Sequence, residues 1–87
     1  MEKAKNLKTF KQLQWQCRRG MLELDVILIP FLEEHFESLG VEQQFAFSEL
    51  LTRADPDLYT WIMGFGDCEE DELTEIIKII RKKMSIA

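Results

Sequence analysis

Apolar positions along the chain recur mostly every three or four residues, the spacing that puts them on one side of a helix. Leu7, Phe10, Leu13 or Gln14, and Cys17 follow this rule, which predicts a first helix from about Lys5 to Arg18. Arg18 and Arg19 at its end complement the helix dipole, and Gly20 just beyond is the residue most often found past a C-terminus. A second helix is predicted from about Met21 to Ser38, with Glu23 and Asp25 in its first turn and Gly40 ending it. Its Val26–Ile29 run could be a buried strand by composition. Three features favour helix: Leu24, Leu28, Phe31, Leu32 and Phe36 extend the helical stripe, Glu33 and Glu34 follow, and no second strand is available to pair. Pro30 implies a kink or break near Val26, because it removes one hydrogen bond and crowds the preceding turn.

A third helix is expected over about Val41 to Arg53, buried through Phe47, Leu50 and Leu51. Asp55-Pro56-Asp57 reads as a helix start, with Asp55 as cap and Pro56 at the first helical position. That fourth helix carries Leu58, Tyr59, Trp61 and Ile62 and stops after Met63 at Gly64, where Gly64-Phe65-Gly66-Asp67 forms a loop. The fifth begins near Glu69 or Glu70, with a stripe of Leu73, Ile76, Ile77, Ile80 and Met84, acids early and Lys78, Arg81, Lys82 and Lys83 late. The expected fold is all-α: a small five-helix bundle in a single domain over residues 1–87, frayed at 1–5 and 84–87.

Charge divides the chain into three. Residues 1–20 hold six Lys/Arg and one acid, residues 21–77 fifteen acids and one Arg, and residues 78–87 four bases and no acid. So acidic a middle repels phosphate backbones and argues against nucleic-acid binding; the basic ends read as solvated faces. No apolar run approaches the roughly 20 residues a membrane span requires, so membrane insertion is not expected. The N-terminal lysines lack the arginines, serines and acid-free character of an organellar presequence, which makes the cytoplasm the expected compartment. Cys17 and Cys68 are too isolated for a zinc site or disulfide framework, and reduced thiols, with Cys17 buried, are expected.

Catalytic chemistry is hard to assemble from these residues. His35, the only histidine, has Phe31 and Leu39 four residues to either side and reads as an ordinary surface or boundary residue. Asp67-Cys68-Glu69-Glu70-Asp71-Glu72 lacks the glycine and alternating oxygen ligands of a calcium loop and reads as acids crowding a helix N-terminus. Gly64-Phe65-Gly66 has neither a preceding strand nor the third glycine of a dinucleotide fingerprint. No Ser-His-Asp or Cys-His set can be proposed, so no metal, no stably bound cofactor and no enzymatic activity are expected.

The turn Arg18-Arg19-Gly20-Met21-Leu22-Glu23-Leu24-Asp25 remains. Capping alone accounts for it: two cations closing one helix, a glycine, two anions opening the next. It also gathers guanidiniums and carboxylates around a residue without a side chain, a surface suited to charge-assisted hydrogen bonds and close approach of a partner. Trp15 and Trp61 are expected beneath it as buried supports.

Together with Trp15-x-Cys17 before it and Asp55-Pro56-Asp57-Leu58-Tyr59-x-Trp61-Ile62 after it, this segment resembles the SdhE family of flavinylation factors, over roughly residues 10 to 83. The resemblance implies a five-helix bundle that binds the flavoprotein subunit of succinate dehydrogenase or fumarate reductase and promotes covalent attachment of FAD to a histidine of that subunit. The factor would act like a chaperone, as a monomer, and supply no catalytic group. Carried over by resemblance, Arg19, Gly20 and Glu23 form the family's RGxxE motif, with Arg18, Met21 and Asp25 flanking it in the partner-binding surface. Two alternatives stay open: an antitoxin-like protein acting on a membrane-associated toxin or cytoskeletal target, and a helical DNA-binding module, which the acidic middle disfavours.

Overall fold

The computed structural model describes residues 9–86. Five α-helices follow in order: α1 Phe10–Cys17, α2 Leu22–His35, α3 Val41–Leu50, α4 Asp55–Met63 and α5 Asp71–Lys83, with a 3-10 turn at Phe36–Ser38 continuing α2. The all-helical bundle expected from the sequence is what forms, and no strand occurs among the described residues.

Each boundary has a local cause. Thr9 caps α1: its hydroxyl accepts from the Gln12 N–H (3.2 Å) while its own N–H donates to Gln12 Oε1 (2.9 Å), a reciprocal capping box. The helical start expected near Lys5, and Leu7 with it, lie outside the described residues. Gly64 takes a left-handed φ of 84° beyond α4, and the Phe65 N–H reaches back to the Thr60 carbonyl at 2.9 Å. Ser85 does the same beyond α5 at φ 58°, with Ile86 N–H on Arg81 O (2.8 Å) and Ser85 N–H on Lys82 O (3.2 Å). Residues 84–86 thereby satisfy the last carbonyls of α5, and Met84 and Ile86 pack on the core.

The break allowed for by Pro30 and the expected cap of α4 are corrected. α2 runs without a break from Leu22 to His35 through Pro30, because the buried stripe Leu24, Leu28, Phe31, Leu32 holds both sides of the proline against the core. The cap of α4 is Ala54, and Asp55 is the first helical residue, its carboxylate committed elsewhere.

The core is continuous. α1 packs on α2, α2 on α4 and α5, and α5 on α3 and α4. The rings of Phe31 and Phe36 lie 5.3 and 5.8 Å from that of Phe47, joining α2, the 3-10 turn and α3. The α5 stripe Leu73, Ile76, Ile77 and Ile80 is buried as the sequence pattern requires. Between α3 and α4, Arg53 reaches Glu49 and Glu70, tying the α3–α4 turn to the start of α5 and holding the Glu70 carboxyl below its ordinary range by hydrogen bonding.

Both described cysteines are free. Cys17 is fully buried, and burial, opposed by the Arg19 charge, pushes its thiol from 9.0 up to about 12. Cys68 is only partly covered. One thiol of the native protein should therefore react quickly with a disulfide reagent at mildly alkaline pH, and the second only once denaturant is added. Because the fold holds Cys17 protonated, its contribution to stability is intact below 9.0 and is lost as the pH rises through that value toward about 12. Thiol titration with and without denaturant checks the first expectation, and chemical unfolding between pH 8 and 11 the second; a flat stability profile in the Cys17→Ala protein completes the comparison.

Candidate functional site

The turn between α1 and α2 is built around Arg19. Cys17 ends α1 inside the core, so the chain leaves the helix beside the bundle rather than away from it. The Arg19 guanidinium is directed inward, its side chain only 15% exposed. Its Nε donates to Asp55 Oδ1 (2.7 Å), Nη1 to the carbonyls of Gln16 (3.0 Å) and Leu51 (2.8 Å), and Nη2 to the carbonyl of Arg53 (2.7 Å). The cation thus sits where the negative end of α3 meets the first residue of α4, and Asp55 stands at the positive end of α4. Arg19 was expected to close its own helix. It does so through Gln16, but most of its hydrogen bonds go to a segment 32 to 36 residues away.

The backbone of the same residue is also held. Arg19 N–H donates to Asp25 Oδ1 at 2.8 Å, so the carboxylate of the first turns of α2 reaches back across the glycine. Between these anchors Gly20 adopts φ +81°, the left-handed conformation that glycine enters without a steric penalty. A Cβ built on Gly20 would meet nothing within 4 Å. Gly20 is thus required by backbone geometry, while the space above it is open.

The six candidate residues separate into two sets. Arg18, Gly20 and Glu23 are exposed. Arg19 and Asp25 are partly buried and bonded within the turn, and Met21 packs against the core. The expectation of buried tryptophans beneath the turn is corrected: Trp15 is 74% exposed, on the face of α1 opposite Leu13 and Cys17, and Trp61 is partly buried against the core. The rigid support comes instead from the Arg19–Asp55 junction. Asp55 was missed as a site residue; its place in the Asp55–Ile62 motif carried the signal, but its distance in sequence hid the pairing.

Other candidates stay apart from this turn. His35 is partly buried, its ring 5.6 Å from that of Phe31 and its Nε2 3.9 Å from Glu34. Among the described residues no group of three His, Cys, Asp or Glu could hold a metal ion. No described helix is long and apolar enough to cross a membrane.

Comparison with known proteins identifies the family. The family described as "Flavinator of succinate dehydrogenase" matches residues 11–84. The chain belongs to this succinate dehydrogenase flavinator family. Similar relatives include the FAD assembly factor SdhE of Colwellia psychrerythraea, 47% identical over 75 residues, covering 86% of this chain and 82% of that protein. The protein of the same name from Idiomarina loihiensis is 44% identical over 80 residues, with coverage of 92% and 89%. That of Vibrio cholerae is 48% identical over 75 residues, with coverage of 85% and 87%. The matched residues run from the second residue of α1 past the end of α5, the Arg18–Asp25 turn and Asp55 included.

Removing the Arg19 side chain should cost about 3 kcal/mol or more of folding stability, because three carbonyls and a carboxylate lose their donor together. Arg19→Lys should recover only part of it, since one ammonium cannot span acceptors that a planar fork reaches at once. Urea unfolding of the two variants measures both, and Asp55→Asn should lose less than Arg19→Ala because the three carbonyl bonds survive.

Proposed function

We propose that this chain binds the flavoprotein subunit of succinate dehydrogenase, or of the related fumarate reductase, and promotes covalent attachment of FAD to a histidine of that subunit. Membership of the flavinator family supports the reaction, and one structural observation supports the surface: a glycine-centred turn, open above and fixed below by Arg19, Asp25 and Asp55.

In this reading the six motif residues divide the work. Gly20 lets the partner's backbone come within van der Waals distance of the turn. Arg18 and Glu23, both exposed, supply opposite charges for charge-assisted hydrogen bonds on either side of it. Arg19 and Asp25 keep the turn in one shape, so little conformational entropy is lost on binding, and Met21 seats it on the core. The flavin and the histidine both belong to the partner. The factor's contribution is to hold the partner's domains in an arrangement where those two groups meet, a gain from positioning rather than from acid–base or nucleophilic chemistry. Burial of Cys17 and packing of His35 on Phe31 agree with that division, since neither group is presented at the turn. No cofactor is held by the factor itself, and it acts as a monomer. The free thiols fit a reducing, cytoplasmic setting.

Side-chain size at Gly20 tests the proposal. Gly20→Ala and Gly20→Arg should each lose about 1–2 kcal/mol to the left-handed backbone and differ little from one another, because space around the Cβ is open. Their effects on function should diverge: Gly20→Arg abolishes covalent flavin in succinate dehydrogenase, read as in-gel fluorescence, and Gly20→Ala retains much of it. Normal covalent flavin in Gly20→Arg cells would sink the reading. So would native co-purification with a small membrane protein in place of a flavoprotein.

A further inference from the structure

Three large apolar side chains next to the turn have no cover among the described residues. Trp15 is in the last turn of α1, on an outer face it shares with Lys11 at helical spacing, and exposed Arg18 follows just past the helix end. Leu22 (72% exposed) and Val26 (56% exposed) lie one turn apart on α2, on the side away from Leu24, Leu28 and Phe31. α2 is therefore apolar on two sides, one spent on the core and one facing out. The outward apolar residues begin two positions after Gly20 and the tryptophan lies three residues before Arg18, so they bracket the charged turn in the chain. A tryptophan mostly in water is an unusual use of the side chain that most often dominates binding energetics.

We propose that Trp15, Leu22 and Val26 are the apolar anchors of the surface that docks on the flavoprotein subunit, with Arg18 and Glu23 as its polar rim and Gly20 as the point of closest approach. This rests on the function proposed above. Continuity with the turn points to that partner, and the three side chains by themselves are too small to hold a second copy of the chain. The three side chains offer on the order of 400 Å² per chain, or about 800 Å² in a symmetric pair, short of the roughly 1,200 Å² of a stable interface. As an extension of a surface that already includes the turn, the same area is enough to matter. Apolar anchors also predict a complex that survives moderate salt, since the exposed charges carry little of the affinity.

The test uses the purified full-length chain and the purified succinate dehydrogenase flavoprotein subunit lacking covalent flavin. Trp15→Ala should weaken binding by about tenfold or more, and Leu22→Ser with Val26→Ser by a similar factor together, with unchanged circular-dichroism melts. Val41→Ser removes an equally exposed apolar group at the opposite end of α3 from the carbonyls Arg19 holds, and should leave affinity unchanged. In a chain carrying 5-fluorotryptophan, the ¹⁹F resonance of Trp15, assigned through Trp15→Phe, should shift or broaden on adding the flavoprotein. Wild-type affinity in Trp15→Ala and in Leu22→Ser/Val26→Ser, while Gly20→Arg still abolishes binding, overturns the anchors and leaves the proposed function standing. No binding by the wild-type chain overturns both. A Trp15 resonance that moves with the concentration of the chain alone assigns the surface to a second copy and overturns the proposal.

Discussion

One guanidinium joins what the helices alone leave separate. α1 packs chiefly on α2, and α3 chiefly on α5, so the α1–α2 turn and the α3–α4 junction have little reason to stay in register through apolar contacts alone. Arg19 supplies that register with four directed hydrogen bonds, three to backbone carbonyls and one to Asp55. Hydrophobic burial is tolerant of small slides between helices; a planar fork on fixed acceptors is not. The shape of the outer turn follows: with Arg19 pinned from within and its N–H held by Asp25, Gly20 has one conformation to occupy.

Such a division resolves two ways of viewing the motif. Capping, and the recognition proposed for the turn, fall to different members of one short segment. Arg19 and Asp25 face the protein and act on its backbone, while Arg18, Gly20 and Glu23 face solvent. For a factor whose proposed task is to hold another protein in a reactive arrangement, rigidity in the contacting surface is itself part of the function, because a loose contact would transmit its own disorder to the partner.

The helices were legible because their signals are local. The α5 stripe, the Pro56 start and the Gly64 stop each depend on residues within one or two turns. The Thr9–Gln12 capping box was equally local, and the apolar periodicity that points to Lys5 obscured it. The continuous α2 shows the reverse case, where burial on both sides of Pro30 outweighed the loss of one hydrogen bond. The site was legible as a segment and hidden as a structure. Nothing near Arg19 in sequence says that its partners are Leu51, Arg53 and Asp55, and nothing near Trp15 says that it faces outward, since tryptophan at helical spacing is usually core.

The acceptors of Arg19 also have a bearing on when the protein becomes competent. Three of the four lie 32 to 36 positions further along the chain, across α2 and α3. Contacts that distant close late, after the intervening helices have been placed. A chain with only α1 and α2 in position would carry every exposed residue of the motif and still lack the geometry that presents them. The shape of the turn is thereby conditional on placement of the α3–α4 junction, so that under the proposed function an incompletely folded copy would present the motif residues without the geometry that docking needs.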